Sequence, residues 1–397
     1  MPRYLQLGSI PRKRHTEFRV EGQRMPGGYM GEGIYYEEVI TTEGFHRAYS
    51  IAYHLRPPTR IVRIEGVEEF PVYGGDSNEA PCIPRPVHLK TATMPRASDV
   101  IFGRMGLFEN TDVRISRCRP LQQQSKLYRN AADDELLFVR RGAGRLLSLF
   151  GQLPFRDLDY LVIPRCTTYR LEFDAIDEVE LLVGESRGTI GFPNRYLNPD
   201  GQFRLGAPFC ERDLRGPQWI EPMDLEGECE LILRDRERWG TYVLAHHPFD
   251  VVGWDGCVYP FAFNAMDFEP ITGTIHQPPP IHQTFQTDGF VVCTFAPRML
   301  DTHPQAVKVP YAHSNVESDE LLYYVAGKFG SRRGIEIDSM TLHPHGIPHG
   351  PHPGTIQASR RAERTDELAV MIDTFRPLRL MSNGLEYDDP GYPASWL

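Results

Sequence analysis

Short apolar runs bounded by turn residues dominate the chain. Ile61 to Val67 (IVRIEGV), Glu135 to Val139 (ELLFV), Tyr160 to Pro164 (YLVIP), Glu178 to Gly184 (EVELLVG), Glu228 to Leu233 (ECELIL) and Phe290 to Phe295 (FVVCTF) are brief and rich in β-branched residues, which predicts strands. Helical periodicity is scarce. Its best candidate, Thr365 to Thr374 (TDELAVMIDT), is short. The pattern predicts an all-β protein of sandwich or jelly-roll type with few short helices.

One echo divides the chain. Asp134-Glu135-Leu136-Leu137 runs to Gly142 and is followed by a turn at Pro164; Asp319-Glu320-Leu321-Leu322 runs to Gly327 and is followed by a turn at Pro344. Between them, Gly184 to Pro222 is rich in Gly, Pro, Asn and Arg and reads as a crossing. We expect two related β-barrels, residues 1–225 and 226–397.

Composition narrows the function. With 41% hydrophobic residues in 397, the chain can bury a large core, and 35 glycines and 34 prolines suit many turns between short strands. A net charge of −10 argues against a nucleic-acid binder, although a few local cations can still serve an anionic substrate. Seven dispersed cysteines without a CxxC pair argue against a disulfide framework or a structural zinc module and for a reducing compartment. No apolar run is long enough to span a bilayer, and the opening residues lack a signal-type apolar core. The expectation is a cytoplasmic protein with no membrane partner.

Histidine placement carries the chemistry. Ten of the fourteen histidines lie between His246 and His352. There, His313, Asn315, Glu320 and Gly327 fall in the order HxN, four residues, Glu, six residues, Gly, followed by PxGxxH at Pro344, Gly346 and His349. These resemble the paired motifs of cupin barrels. Residues two apart on a strand share a face, and a histidine after a Pro/Gly turn can close the same pocket from another strand. His313, Glu320 and His349 then offer two imidazoles and a carboxylate, leaving positions open as in non-haem Fe(II) oxygenases. Asn315 stands where many cupins have a further histidine, and its amide is a poor ligand. Of the adjacent acids Asp319 and Glu320, Glu320 keeps the spacing to Gly327.

The first copy lacks this chemistry. No histidine precedes Glu135, Tyr169 replaces the final histidine and Cys166 replaces the glycine. A structural or assembly barrel is expected there. His246 and His247, adjacent on a strand, would face opposite sides and cannot share a metal. His345 and His352 are expected at the surface, and Trp254 and Phe261 in the barrel core.

PFDVVGW at 248–254, the His313 to Gly327 motif, LHPHGIPHGP at 342–351 and the opening IPRKRHTEFR together resemble the homogentisate 1,2-dioxygenase family. That resemblance implies a bicupin that binds Fe(II) through His313, Glu320 and His349 and cleaves an aromatic ring with O2, in tyrosine and phenylalanine catabolism. It implies a histidine base, His276 or the neighbouring His282, and a supporting role for His343 behind the ligands. It places His349, Phe329 and His282 near the substrate; Tyr311, two residues before His313, would face the pocket by strand alternation or pack as a core aromatic. Phe329 stands where the family has a tyrosine and cannot donate a hydrogen bond, which keeps gentisate- and hydroquinone-type substrates in view beside homogentisate. Arg332 and Arg333 are cations that could meet a substrate carboxylate or simply occupy an exposed turn. The family also implies a homo-oligomer, trimer or hexamer. A metal-dependent bicupin isomerase or decarboxylase and a non-enzymatic binding protein are the competing readings.

Overall fold

The computed structural model describes residues 3–18, 33–69, 84–329 and 334–397. Arg332, Arg333 and Cys82 lie outside them. The fold is an all-β bicupin. Among the described residues the α-helices are two short ones, Thr355–Ser359 and Ser382–Leu385. All six expected strands form, at Ile61–Glu69, Asp134–Arg141, Asp159–Ile163, Glu180–Ser186, Glu226–Asp235 and Phe290–Phe295. The helix expected at Thr365 to Thr374 does not form. Leu368–Thr374 is a strand between Phe290–Phe295 and Asp319–Ala326, with six of its seven residues buried. Cover on both faces makes a continuous apolar run favourable in a central strand, and a seven-residue run cannot distinguish the two states by periodicity.

Alternation along the strands assigns every side chain to one of two interiors. An eight-stranded sheet contains Asp134–Arg141, Asp159–Ile163, Glu180–Ser186 and Val113–Cys118. Its Leu137, Val139, Leu161, Ile163, Leu181 and Val183 face a seven-stranded sheet and fill the first barrel. Its Leu136, Phe138, Tyr160, Val162 and Leu182 face the other way, onto Leu321, Tyr323, Val370, Ile372 and Val292 of a six-stranded sheet. Tyr160 Oη meets Thr294 Oγ1 at 2.9 Å across this junction. The opposite face of the six-stranded sheet, with Glu320, Leu322 and Tyr324, is the interior of the second barrel.

Strand pairing crosses residue 225 in both directions. Glu226–Asp235 pairs with Leu127–Asn130 and Phe261–Asn264 with Asp159–Ile163, while Val87–Lys90 forms the edge of the six-stranded sheet beside Ser339–His343. The crossing from 184 to 222 is packed rather than open: Phe192, Tyr196, Phe203 and Phe209 form an aromatic cluster with Phe261, Phe263 and Phe285. Trp254 is fully buried and donates to Phe150 O at 2.8 Å, and Phe261 is in the same core. The six described cysteines are free thiols. Among the described residues no helix is long and apolar enough to cross a membrane.

Candidate metal centre

Glu320 lies near the start of Asp319–Ala326, in register with His343 on one side and Asp373 on the other. All three side chains therefore project into the second barrel. His313 and His349 come from connections rather than sheet strands. Each donates its N–H to the other's carbonyl, at 2.8 and 2.9 Å, in an isolated antiparallel bridge. The turn between Pro344 and His349 is held by Gly346, at φ +75, whose N–H donates to Asn315 O at 2.7 Å. Asn315 thus contributes through its backbone. The bridge brings the imidazoles of His313 and His349 together edge-to-face, with centroids 4.3 Å apart.

One donor atom from each of His313, Glu320 and His349 lies within 4.8 Å of the others. The Nε2 atoms of His313 and His349 each stand 3.5 Å from a Glu320 oxygen. His349 Nε2 is buried without a hydrogen-bond partner. Two imidazoles, one carboxylate and an orphaned buried nitrogen form a donor set that fits a divalent transition metal with open positions. Asp319 is otherwise engaged: Oδ1 accepts from His345 N at 2.8 Å and Oδ2 from Leu378 N at 2.7 Å. That engagement fixes the adjacent strand ends and leaves Glu320 alone to face the site.

Behind these three side chains, His343 Nδ1 is 2.7 Å from Glu320 Oε1 and its Nε2 is 3.0 Å from Tyr392 Oη. Tyr392 was not foreseen from the sequence; it comes from a C-terminal turn with no motif. Burial disfavours the charged form of Glu320, but the imidazoles of His313, His343 and His349 gathered around it hold its carboxyl well below the usual range. The bond to Glu320 raises His313. Asp373 moves oppositely, pushed up to about 8 by burial and by the Glu320 charge. The neutral form of Asp373 limits the negative charge gathered beside the three donors.

The remaining candidates line the approach. A cavity of about 80 Å3 touches His313, His276, His282 and Tyr311. A larger groove of about 730 Å3 shares His276 and Tyr311 and leads outward. His276 Nδ1 is 2.7 Å from Asp301 Oδ2, and its ring sits 5.3 Å from that of Tyr311. His282 is buried against Phe295, with ring centroids 4.8 Å apart, and its Nδ1 has no partner. Burial, then the nearby Arg298 and His276, push its pKa down to about 3. Phe329 lines neither cavity; its ring packs on Tyr324 at 4.8 Å. His345 binds Asp319 at 2.8 Å, and His352 Nδ1 is 2.6 Å from Pro353 O. His246 and His247 serve local contacts with Pro57 O and Phe249 N.

The first barrel repeats this layout with other side chains. Tyr128 and Tyr169 are register partners, as His313 and His349 are. Glu135 stands five residues after Asn130, as Glu320 does after Asn315, and pairs in register with Glu185, as Glu320 does with Asp373. Into this constellation projects Arg104, fully buried, bonded to Glu135, to Glu185 at 3.1 Å and to Tyr169 Oη at 3.0 Å. A fixed guanidinium occupies the interior, and among the described residues no imidazole bonds to it.

Comparison with known proteins identifies the family. Residues 115–265 match the model of the homogentisate 1,2-dioxygenase N-terminal family. A protein of Saccharolobus solfataricus, named as a candidate dioxygenase, is 39% identical over 396 residues, covering 99% of this chain and 98% of the relative. Among solved structures, a candidate dioxygenase from Nostoc punctiforme aligns with TM-score 0.38 and 13% identity over 79% of this chain and 88% of its own. A cupin-barrel protein from Leptotrichia buccalis aligns with TM-score 0.36 and 10% identity over 74% and 99%. With a family model matched through the first barrel and a relative matched nearly end to end, the chain belongs to the homogentisate 1,2-dioxygenase-like family.

Proposed function

We propose that the protein is a ring-cleaving dioxygenase that binds Fe(II) through His313, Glu320 and His349 and acts on a hydroxylated aromatic, with homogentisate, converted to 4-maleylacetoacetate, as the leading substrate. The observation that carries this reading is the convergence of two imidazoles and one carboxylate, one of which, His313, also lines a cavity that continues through His276 and Tyr311 into the larger outer groove. Such an ion would supply the coordination of phenolate and dioxygen that spin-allowed ring cleavage requires.

The protein's own groups prepare the substrate. Asp301 accepts from Nδ1 of His276 and so leaves Nε2 to take the proton of a phenol hydroxyl. His282, with a pKa near 3, is a weaker base and better suited to orienting the ring as a neutral imidazole. Tyr311 lies between His276 and His313, with ring centroids 5.3 and 6.5 Å away, and can flank the ring plane. His343 and Tyr392 fix the carboxylate orientation.

The test is anaerobic purification, metal analysis and oxygen-electrode assay with homogentisate, gentisate and hydroquinone. One iron per chain and one O2 consumed per aromatic are expected, both lost on chelation and in Glu320→Ala. Zinc or manganese with no oxygen uptake would instead favour the isomerase or decarboxylase reading.

A further inference from the structure

The small cavity beside His313 contains a cation with too few partners. Arg298 lines it. Its guanidinium lies 5.6 Å from the Phe295 ring centroid, and Nη1 donates to Ala296 O at 3.2 Å. Five N–H donors are present on a guanidinium, and among the described residues no carboxylate forms an ion pair with this one. Burial works against its charge, and Glu367 and Asp301 compensate only from a distance. Glu367 is a poor counter-ion, because burial also raises its own carboxyl. Arg298 is half-buried and none of its nitrogens is a buried atom without a partner, so the N–H groups not used by Ala296 remain accessible to an incoming anion.

Two further features complete the cavity. His282 Nδ1 is buried and unpartnered within it. Lys308, the other cation there, is engaged by the backbone oxygen of Asp301. The outer groove shares His276, Asp301, Val307, Val309, Pro310 and Tyr311 with the cavity, so a ligand has a path inward.

We infer that Arg298 is the binding residue for a carboxylate borne by the aromatic substrate, held in the cavity between Phe295 and His313. The aromatic part of this inference rests on the proposed function; the anion site does not. A planar guanidinium suits a carboxylate because two parallel N–H donors match its two oxygens. The consequence is selectivity: a ring carrying an anionic arm is retained, and an otherwise similar neutral ring is not.

The experiment uses the full-length, metal-free protein with phenylacetate and its neutral counterpart phenylacetamide, titrated by calorimetry. Wild type is expected to bind phenylacetate at least about tenfold more tightly, the scale of a charged hydrogen-bonded contact. Arg298→Met is expected to erase that preference, Arg298→Lys to keep part of it and Lys308→Met to leave it intact. Absence of the preference in wild type, or its survival in Arg298→Met, overturns the inference. Thermal melting verifies folding; if Arg298→Met does not fold, Arg298→Lys decides, and an undiminished preference there counts against the bidentate contact. Oxygen uptake is not used in this test. A protein with the anion preference but no oxygenase activity would refute the proposed function alone, and the converse would refute the Arg298 site alone.

Discussion

Each oxygen of the Glu320 carboxylate is engaged separately: Oε1 by His343 at 2.7 Å and His349 at 3.5 Å, Oε2 by His313 at 3.5 Å. One side chain thus sets the relative positions of three imidazoles. Glu320→Gln, nearly isosteric but uncharged, is expected to reduce bound metal from about one equivalent to a small fraction while leaving the melting temperature within a few degrees. Elemental analysis with parallel melting curves checks both. A second residue-scale prediction concerns His54, buried between Asp250 at 2.8 Å and Glu38 at 3.0 Å. Burial alone would lower its pKa, but these two bonds raise it to about 9. The folded state therefore holds a proton that the unfolded state has released above about pH 6.5. The resulting stability is complete below pH 6.5 and is lost as pH rises through 9, a loss on the order of 3 kcal/mol. Urea midpoints measured from pH 6 to 9.5 should fall over this interval, and His54→Gln should flatten the dependence; equal slopes in both proteins would contradict it. At this scale the sequence was informative where a residue type is rare and its spacing fixed, as for His313, Glu320 and His349. Arg298 and Tyr392 carried no such signal, because a single arginine or tyrosine acquires its meaning only from what folding places beside it.

At the scale of elements, the ladder between residues 313 and 349 matters most. It has only two backbone hydrogen bonds, yet it places both imidazoles of the candidate metal centre. Gly350 permits it: a Cβ there would come within 2.6 Å of Ala312 Cα. Gly350→Ala should push the two connections apart and weaken metal binding at least tenfold, with the barrels intact. Metal titration and far-UV dichroism separate these outcomes, and unchanged affinity would show that the bridge does not position the ligands. The C-terminal turn at Tyr392–Ala394 acts from the other side, through His343. Tyr392→Phe should lower metal affinity within the range of about 10 to 100-fold seen when such supporting bonds are lost. Strands with clear bounds were readable from apolar runs and turns. Leu368–Thr374 read as a helix because DELAVMID has no alternation, and only the sheets on either side make that pattern a strand.

The two barrels form one molecule because their strands are interleaved. Glu226–Asp235, Arg238–His246 and Phe261–Asn264 complete sheets of the first barrel, whereas Val87–Lys90 closes the edge of the sheet that carries Glu320. Tyr323 reaches across the junction to Arg117, which also meets Asp338 at 3.2 Å and donates to Thr91 at 3.2 Å. The echo between the DELL segments made the duplication legible, but the exchange of strands was invisible, since pairing partners a hundred or more residues apart leave no local pattern. The first barrel then has a role that its missing histidines do not suggest. Arg104, Glu135, Glu185 and Arg234 form a buried network whose charges balance inside the barrel. Removing Arg104 would leave two buried carboxylates short of partners, a loss on the order of 3–5 kcal/mol. Because the six-stranded sheet rests on the outer face of this barrel, Arg104→Leu should lower the melting temperature and release bound metal from a site it never touches. The same logic predicts that residues 226–397 expressed alone will neither fold nor bind metal, since they would expose the Leu321, Tyr323, Val370 and Ile372 face and lack the edge strand at Val87–Lys90. Limited proteolysis and metal content of that fragment test the point: a compact, metal-binding fragment would mean that the second barrel is autonomous and that its contact with the first is incidental.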